Sequence, residues 1–98
     1  MPEIEGFVLD LSGAQVRRTN LSRANLTRAN LSHADLTGAN LRGANLEGAI
    51  LKGTVLRGAD LTDVTNLTKE QLDEAVIDET TVLPKELQSF RPSVSVEG

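Results

Sequence analysis

The sequence predicts an all-β solenoid: a coil of short extended segments that turns a corner every five residues. Three observations carry this. From Leu9 to Asp63 the chain repeats with a period of five, reading LDLSG, AQVRR, TNLSR, ANLTR, ANLSH, ADLTG, ANLRG, ANLEG, AILKG, TVLRG, ADLTD. Glycine recurs at the fifth pentad position, at Gly13, Gly38, Gly43, Gly48, Gly53 and Gly58. The 98 residues hold only two aromatics, Phe7 and Phe90, both outside the repeat, so a conventional globular core is not expected. A fold in which each unit contacts only its neighbours is the alternative.

The period excludes the regular elements. In an α-helix five residues advance about 500°, so a leucine at every fifth position spirals around the axis and builds no face. In a straight strand an odd spacing sends Leu21 and Leu26 to opposite sides. A corner in each pentad resolves the conflict. The first and third positions of a pentad, such as Ala24 and Leu26, then share the inner face, and Asn25 points out. The fourth and fifth positions form the corner. A type II turn needs positive φ at its third residue, where glycine is inexpensive. Arg18, Arg23, Arg28 and His33 hold that position in the first half and tolerate positive φ poorly. The expectation is therefore that turns up to about residue 33 differ in type from those at 36–59.

The units Ala24-Asn25-Leu26-Thr27-Arg28, Ala34-Asp35-Leu36-Thr37-Gly38 and Ala44-Asn45-Leu46-Glu47-Gly48 match the pattern A-[DN]-L-x-x, and the chain resembles the pentapeptide-repeat family over eleven consecutive pentads. The resemblance implies a right-handed quadrilateral β-helix with four pentads to a coil. The eleven pentads then make 2.75 coils, and an irregular last coil brings the total to 3–4. Leu11, Leu31 and Leu51 stack on one side under this reading, and Val16, Leu36 and Leu56 on the next.

The flanks depart from the period. Residues 1–8 are read as an N-terminal cap, with Phe7 and Val8 over the open end of the core. Residues 64–87 are read as an irregular final coil. Thr68 and Gln71 form a capping-box pattern, which predicts a short helix over about 69–75 with Leu67, Leu72 and Ala75 on its apolar side. Ala75 to Glu79 restores the pentad rhythm, and Pro84 ends the strand. Residues 88–98 are polar and read as a flexible tail.

The formal net charge is -4, but its distribution is uneven. The repeat holds seven Lys or Arg against five Asp or Glu, and the acidity belongs to the flanks. There is no cysteine, hence no disulfide and no thiolate metal site. The N-terminus lacks a basic and apolar leader pattern, and no segment approaches the ~20 apolar residues of a membrane span. A cytoplasmic protein without membrane contact is expected.

Nothing in the chain has the spacing of a catalytic or metal site. His33 is the only histidine and falls at a corner. Asp73, Glu74, Asp78 and Glu79 lack the rhythm of a cation loop. The row Asn20, Asn25, Asn30, Asp35, Asn40 and Asn45 reads as a source of local backbone hydrogen bonds. No enzyme, cofactor or metal is expected. Two surface features depart from regularity. Arg17, Arg18, Arg23 and Arg28 give the first coil a basic rim, without the aromatic residues that stack nucleic-acid bases, so direct nucleic-acid binding is not expected. Ile50 and Val55 replace the usual Asn or Asp on adjacent sides, beside Lys52 and Arg57. These two features are the candidate interaction surface. The expected role is a scaffold that binds a protein partner or a second copy of itself as a homodimer. The alternative, implied by some members of the family that the chain resembles, is modulation of a type II topoisomerase (DNA gyrase) by DNA mimicry.

Overall fold

The computed structural model describes residues 9–90. Isolated parallel bridges join residues four pentads apart in sequence: Asp10 with Asn30, Gln15 with Asp35, Asn20 with Asn40, Asn25 with Asn45, and so on to Asn45 with Thr65. With a corner in every pentad, that step is one circuit of four sides. We number the sides by their bridge residues: side one carries Asp10, Asn30 and Ile50; side two Gln15, Asp35 and Val55; side three Asn20, Asn40 and Asp60; side four Asn25, Asn45 and Thr65. Each side is too short to form a longer strand, so every rung is a single bridge residue.

The ladder closes the same way around each coil. The amide of Leu31 donates to the carbonyl of Ile50 (3.0 Å), and the amide of Ile50 donates back to Ala29 (2.9 Å). Each corner is closed by a bond from the next pentad's first amide to the third-position carbonyl, as from Ala29 to Leu26 (2.9 Å) and Ala49 to Leu46 (3.0 Å).

The corners correct one expectation. Arg18, Arg23, Arg28 and His33 have φ of 57°, 62°, 61° and 60°, in the same left-handed region as Gly38 at 69° and Gly48 at 68°. The residue before each is not left-handed, so the corners share type II character throughout and do not change type after residue 33. The physical reason is over-determination. Each corner is held by its own turn bond and by a ladder bond, such as Arg28 N–H to the carbonyl of Glu47 (2.7 Å). Together these offset the cost of a left-handed non-glycine residue.

Inside, the third-position leucines fill the coil. Leu31, Leu36, Leu41, Leu46, Leu51, Leu56 and Leu61 are all buried, and the first-position alanines between them leave room for their side chains. Each contributes about 1.5–3 kcal/mol of transfer free energy before entropy is counted. Thr54, a polar residue at a first position, is completely buried. Its hydroxyl donates to the carbonyl of Leu31 at 2.6 Å, so the substitution leaves no orphaned donor.

The pentads lapse at Asn66, which takes the third position in place of leucine and is itself left-handed, with φ 63°. Helix α1 (Lys69–Glu74) follows. Its Thr68–Gln71 capping box is complete: Thr68 Oγ1 accepts from the Gln71 amide at 3.1 Å, and Gln71 Oε1 accepts from the Thr68 amide at 2.8 Å. Gln71 Nε2 then donates to the carbonyls of Leu46 and Ala49, both at 2.9 Å, tying the helix to the coil above. Leu72 is fully buried, and Leu67 and Ala75 pack beside the core. The chain resumes the ladder at Val76, which pairs with Val55, and at Val82, which pairs with Asp60. A 3-10 turn (Lys85–Leu87) follows the buried Pro84. Phe90 packs against the core and its amide donates to Leu87 at 2.9 Å. The cap expected at residues 1–8 and the tail beyond residue 90 lie outside the described residues.

Candidate interaction surfaces

The outward face of each side is set by the second pentad position. Where that residue is Asn or Asp, its Oδ1 accepts from the backbone amide two residues on, and from the side-chain hydroxyl where there is one. Asn25 accepts from Thr27 N–H (3.1 Å) and Thr27 Oγ1 (2.6 Å), and Asp35 from Thr37 in the same way. Asn40 and Asn45 serve the amides of Arg42 and Glu47, each at 3.0 Å. The row thus stiffens the entry to each corner through a local side-chain bond.

A second relationship joins adjacent coils. The fourth-position Arg17 reaches across to Asp35 in the following coil, with Nε to Oδ2 at 2.7 Å. Arg42 does the same to Asp60, with Nη1 to Oδ2 at 3.2 Å. Hydrogen bonding from Thr37, then from Arg17, holds the Asp35 carboxyl at about 2, below the usual carboxylate range. Asp60 is lowered by the Thr62 hydroxyl, with Arg42 adding to it. Asp78 is lowered by the Thr80 hydroxyl, and Arg57 attracts it in addition.

The four arginines of the candidate rim do not converge. Arg17 and Arg18 stand at the corner between sides two and three, Arg23 at the next corner and Arg28 at the one after. Three of them have a structural task that their sequence neighbours do not reveal. A Cβ on Gly38 would meet Arg18 Cγ at 3.2 Å, one on Gly43 would meet Arg23 Cγ at 3.3 Å, and one on Gly48 would meet Arg28 Cγ at 3.1 Å. The arginine stems therefore lie over the glycines of the coil below. His33 lies over Gly53 so closely that a side chain there would require the ring to shift. This accounts for glycine at Gly38, Gly43, Gly48 and Gly53: a side chain on a left-handed corner occupies the space above the next corner in its column. The signal was present as the four-pentad spacing between each Arg or His and its glycine.

Beside the apolar pair, sequence reasoning did not single out Val76, which continues side two, or Val82, which is exposed on side three, opposite Ile50. Ile50 on side one is 47% exposed, and Val55 on side two is half-buried. Val76 lies directly below Val55, and Val82 on side three is 45% exposed. An open polar groove of about 350 Å³ also runs down the corner after side three, lined by Ser22, Arg23, Asn40, Arg42, Gly43 and Asp63. His33 stands alone at its corner, and among the described residues no cluster of His, Asp or Glu has the arrangement of a metal site. Among the same residues no helix is long and apolar enough to cross a membrane.

Comparison with known proteins agrees with this geometry. The family model for pentapeptide repeats matches residues 10–43 and 39–77, with 8 copies. No curated protein matches. Among solved structures, the chain is similar to Rfr23, a pentapeptide repeat protein from the cyanobacterium Cyanothece 51142, at 41% identity and TM-score 0.62, over 76% of this chain and 53% of that one. It is also similar in fold to QnrB1 (M102R, trypsin-treated), a plasmid-mediated fluoroquinolone resistance protein, at 17% identity and TM-score 0.66, over 91% of this chain and 42% of that one. The chain thus spans about half the length of the structures it matches. With a four-sided ladder, a pentad core and a family match over most of its length, this chain belongs to the pentapeptide-repeat family.

Proposed function

We propose that the chain is a non-enzymatic scaffold, a right-handed quadrilateral β-helix whose side faces bind a protein partner in the cytoplasm. The observation that carries this reading is the loss of the outward Asn/Asp row at Ile50 and Val55. Each forgoes a local bond of a kind worth about 0.5–1.5 kcal/mol, because neither can accept from the amide of Lys52 or Arg57. Ile50 instead presents about half of its surface to solvent, and burying it against a partner returns about 1 kcal/mol. Val76, directly below Val55, continues the apolar strip on side two. Lys52 and Arg57 beside Ile50 and Val55 favour a partner that combines an apolar patch with acidic side chains. Neither direct nucleic-acid binding nor membrane contact is part of this reading.

The test is affinity capture with the wild-type chain and the Ile50→Asn/Val55→Asn double variant, both checked for folding. A partner retained by the wild type and lost by the variant is the expected result; equal retention by both rejects the surface. The DNA-mimic alternative draws only on a fold shared with a resistance protein. A DNA-like acidic rod is poorly served by a repeat with more bases than acids, in which Asp35 and Asp60 are each held by an arginine. A gyrase supercoiling assay is expected to show no effect of added protein; dose-dependent inhibition or protection would revive that alternative.

A further inference from the structure

Helix α1 stands where a rung of side one is due. The last bridge residue of that side is Ile50, and the neighbouring side steps from Val55 to Val76. The same step from Ile50 falls on Gln71, inside α1. The sequence there reads as pentads as well as helix. Counting Val64 as one extra residue, Thr65-Asn66-Leu67-Thr68-Lys69, Glu70-Gln71-Leu72-Asp73-Glu74 and Ala75-Val76-Ile77-Asp78-Glu79 follow in unbroken period, with Leu67, Leu72 and Ile77 at third positions.

One of the two bonds of the missing rung is made by a side chain, and the other is not made. In the rung on side two, Val76 donates to Thr54 and accepts from Leu56, each at 2.8 Å. At Gln71 the corresponding groups are the carbonyl of Ala49 and the amide of Leu51. The Gln71 side chain serves Ala49 instead, with Nε2 at 2.9 Å. The amide of Leu51, a residue only 1% exposed, has no acceptor among the described residues, whereas those of Leu11, Leu31 and Leu56 are all bonded. The exit from α1 already has the form of a corner. Ala75 donates to Leu72 at 3.1 Å, as Ala29 does to Leu26, and the Gly53 amide donates to Glu74 at 2.8 Å. Leu72 is fully buried, as a third-position leucine is.

We propose that the segment 68–72 is a two-state element that exchanges α1 for a further rung of side one, with Gln71 bridged to Ile50. In the rung form the Gln71 backbone takes both partners, its amide donating to Ala49 and its carbonyl accepting from Leu51. Leu72 stays in the core and the corner at Ala75 is kept, so only a local stretch is rebuilt. The helical form is held by the Thr68 cap and the Gln71 side chain, because a helix of six residues is far below the ~12–15 at which isolated helices become even marginal. The rung form gives up those bonds and satisfies the buried Leu51 donor. Side one then gains a storey, with Gln71 below Ile50 as Val76 lies below Val55. A ligand that prefers either form of this face shifts the population toward it. The switch rests on the ladder geometry and does not depend on the partner proposed for the sides.

The test is the Thr68→Val/Gln71→Asn double variant of the full chain. It removes the cap acceptor, shortens the side chain that holds Ala49 and supplies the second-position Asn of a pentad. The helical chemical shifts of Lys69–Glu74 are expected to be lost while unfolding stays cooperative. Hydrogen exchange at the Leu51 amide, faster than at Leu31 and Leu56 in the wild type, is expected to slow by about tenfold or more in the variant. Should the variant fail to fold, relaxation dispersion on the wild type decides: microsecond-to-millisecond exchange is expected at the amides of Leu51, Gln71 and Leu72, with Leu36 and Leu41 quiet. A folded variant that keeps α1, loss of the helix with the Leu51 amide still unprotected, or flat dispersion at those three amides would each overturn the proposal.

Discussion

Arg28 lies across Gly48, one coil below it, with its Cγ 3.1 Å from where a side chain on that glycine would begin. Both residues are left-handed, at φ 61° and 68°, and the two corners are therefore coupled although a full circuit of chain separates them. Gly48→Ala combines a left-handed alanine with crowding against the arginine stem, and is expected to cost about 1–2 kcal/mol. Arg28→Gly relieves backbone strain and is expected to stabilise by about 0.5–1 kcal/mol. In the double variant Gly48→Ala is expected to cost less than it does alone. Denaturant midpoints across the four proteins check this, and simple additivity would remove the coupling.

Gln71 is expected to be the most sensitive polar position of the final coil. Gln71→Glu keeps a carboxylate oxygen for the Thr68 amide but cannot donate to Leu46 and Ala49, and sets a negative charge against two carbonyls. A loss of about 2 kcal/mol is expected, larger than that of Lys69→Ala on the exposed side of the same helix. Thermal unfolding of the two variants compares them directly.

Thr54→Val removes the bond to Leu31 while keeping the side-chain volume. The carbonyl of Leu31 still accepts from the Ala34 amide at 3.0 Å, so no acceptor is orphaned. The expected cost is about 1 kcal/mol, read from the urea midpoint with an unchanged slope.

Acid is expected to loosen the coil through its aspartates. Asp10, Asp35, Asp60 and Asp78 are all lowered in the fold, chiefly by the hydroxyl two residues on. A carboxyl whose folded value lies below its unfolded one stabilises the fold above the unfolded value, near 4, and that contribution fades as pH falls toward the folded value. For Asp35 the window runs from about 4 down to about 2. Melting temperature is expected to fall across this window, and less steeply in Asp35→Asn, which keeps the Thr37 acceptor but does not titrate.

Ile50→Asn is expected to restore the acceptor for the Lys52 amide and to raise stability by up to about 1 kcal/mol while weakening the side-face partner. A residue that costs stability in the isolated chain and supports binding separates those two measurements, which chemical denaturation and the capture assay provide.

The period of five made the inner face, the corners and the leucine columns legible, because side-chain alternation leaves one way to bury every fifth residue. The capping box at Thr68 and Gln71 was legible for a similar reason, being local in sequence. The left-handed arginines were misread because propensity was judged corner by corner, whereas ladder bonds from the next coil fix each corner. The reach of Arg17 to Asp35, the groove between Arg23 and Asp63, and the alignment of Val76 below Val55 depend on which residues meet across coils, and the break in phase at α1 shifts the last of these beyond a simple count.

That break has a consequence for how such a rod can lengthen. Up to Thr65 every rung falls four whole pentads after the last, but Val76 overshoots that step from Val55 by one position, and Val82 overshoots it from Asp60 by two. A duplicated block of four pentads inserted within the repeat keeps every column in phase and extends the coil by one storey. The same block placed beyond α1 meets rungs that are one and two positions out of phase with the columns above. Growth by duplication is therefore directional, with new storeys accepted inside the repeat and the terminal cap carried outward unchanged.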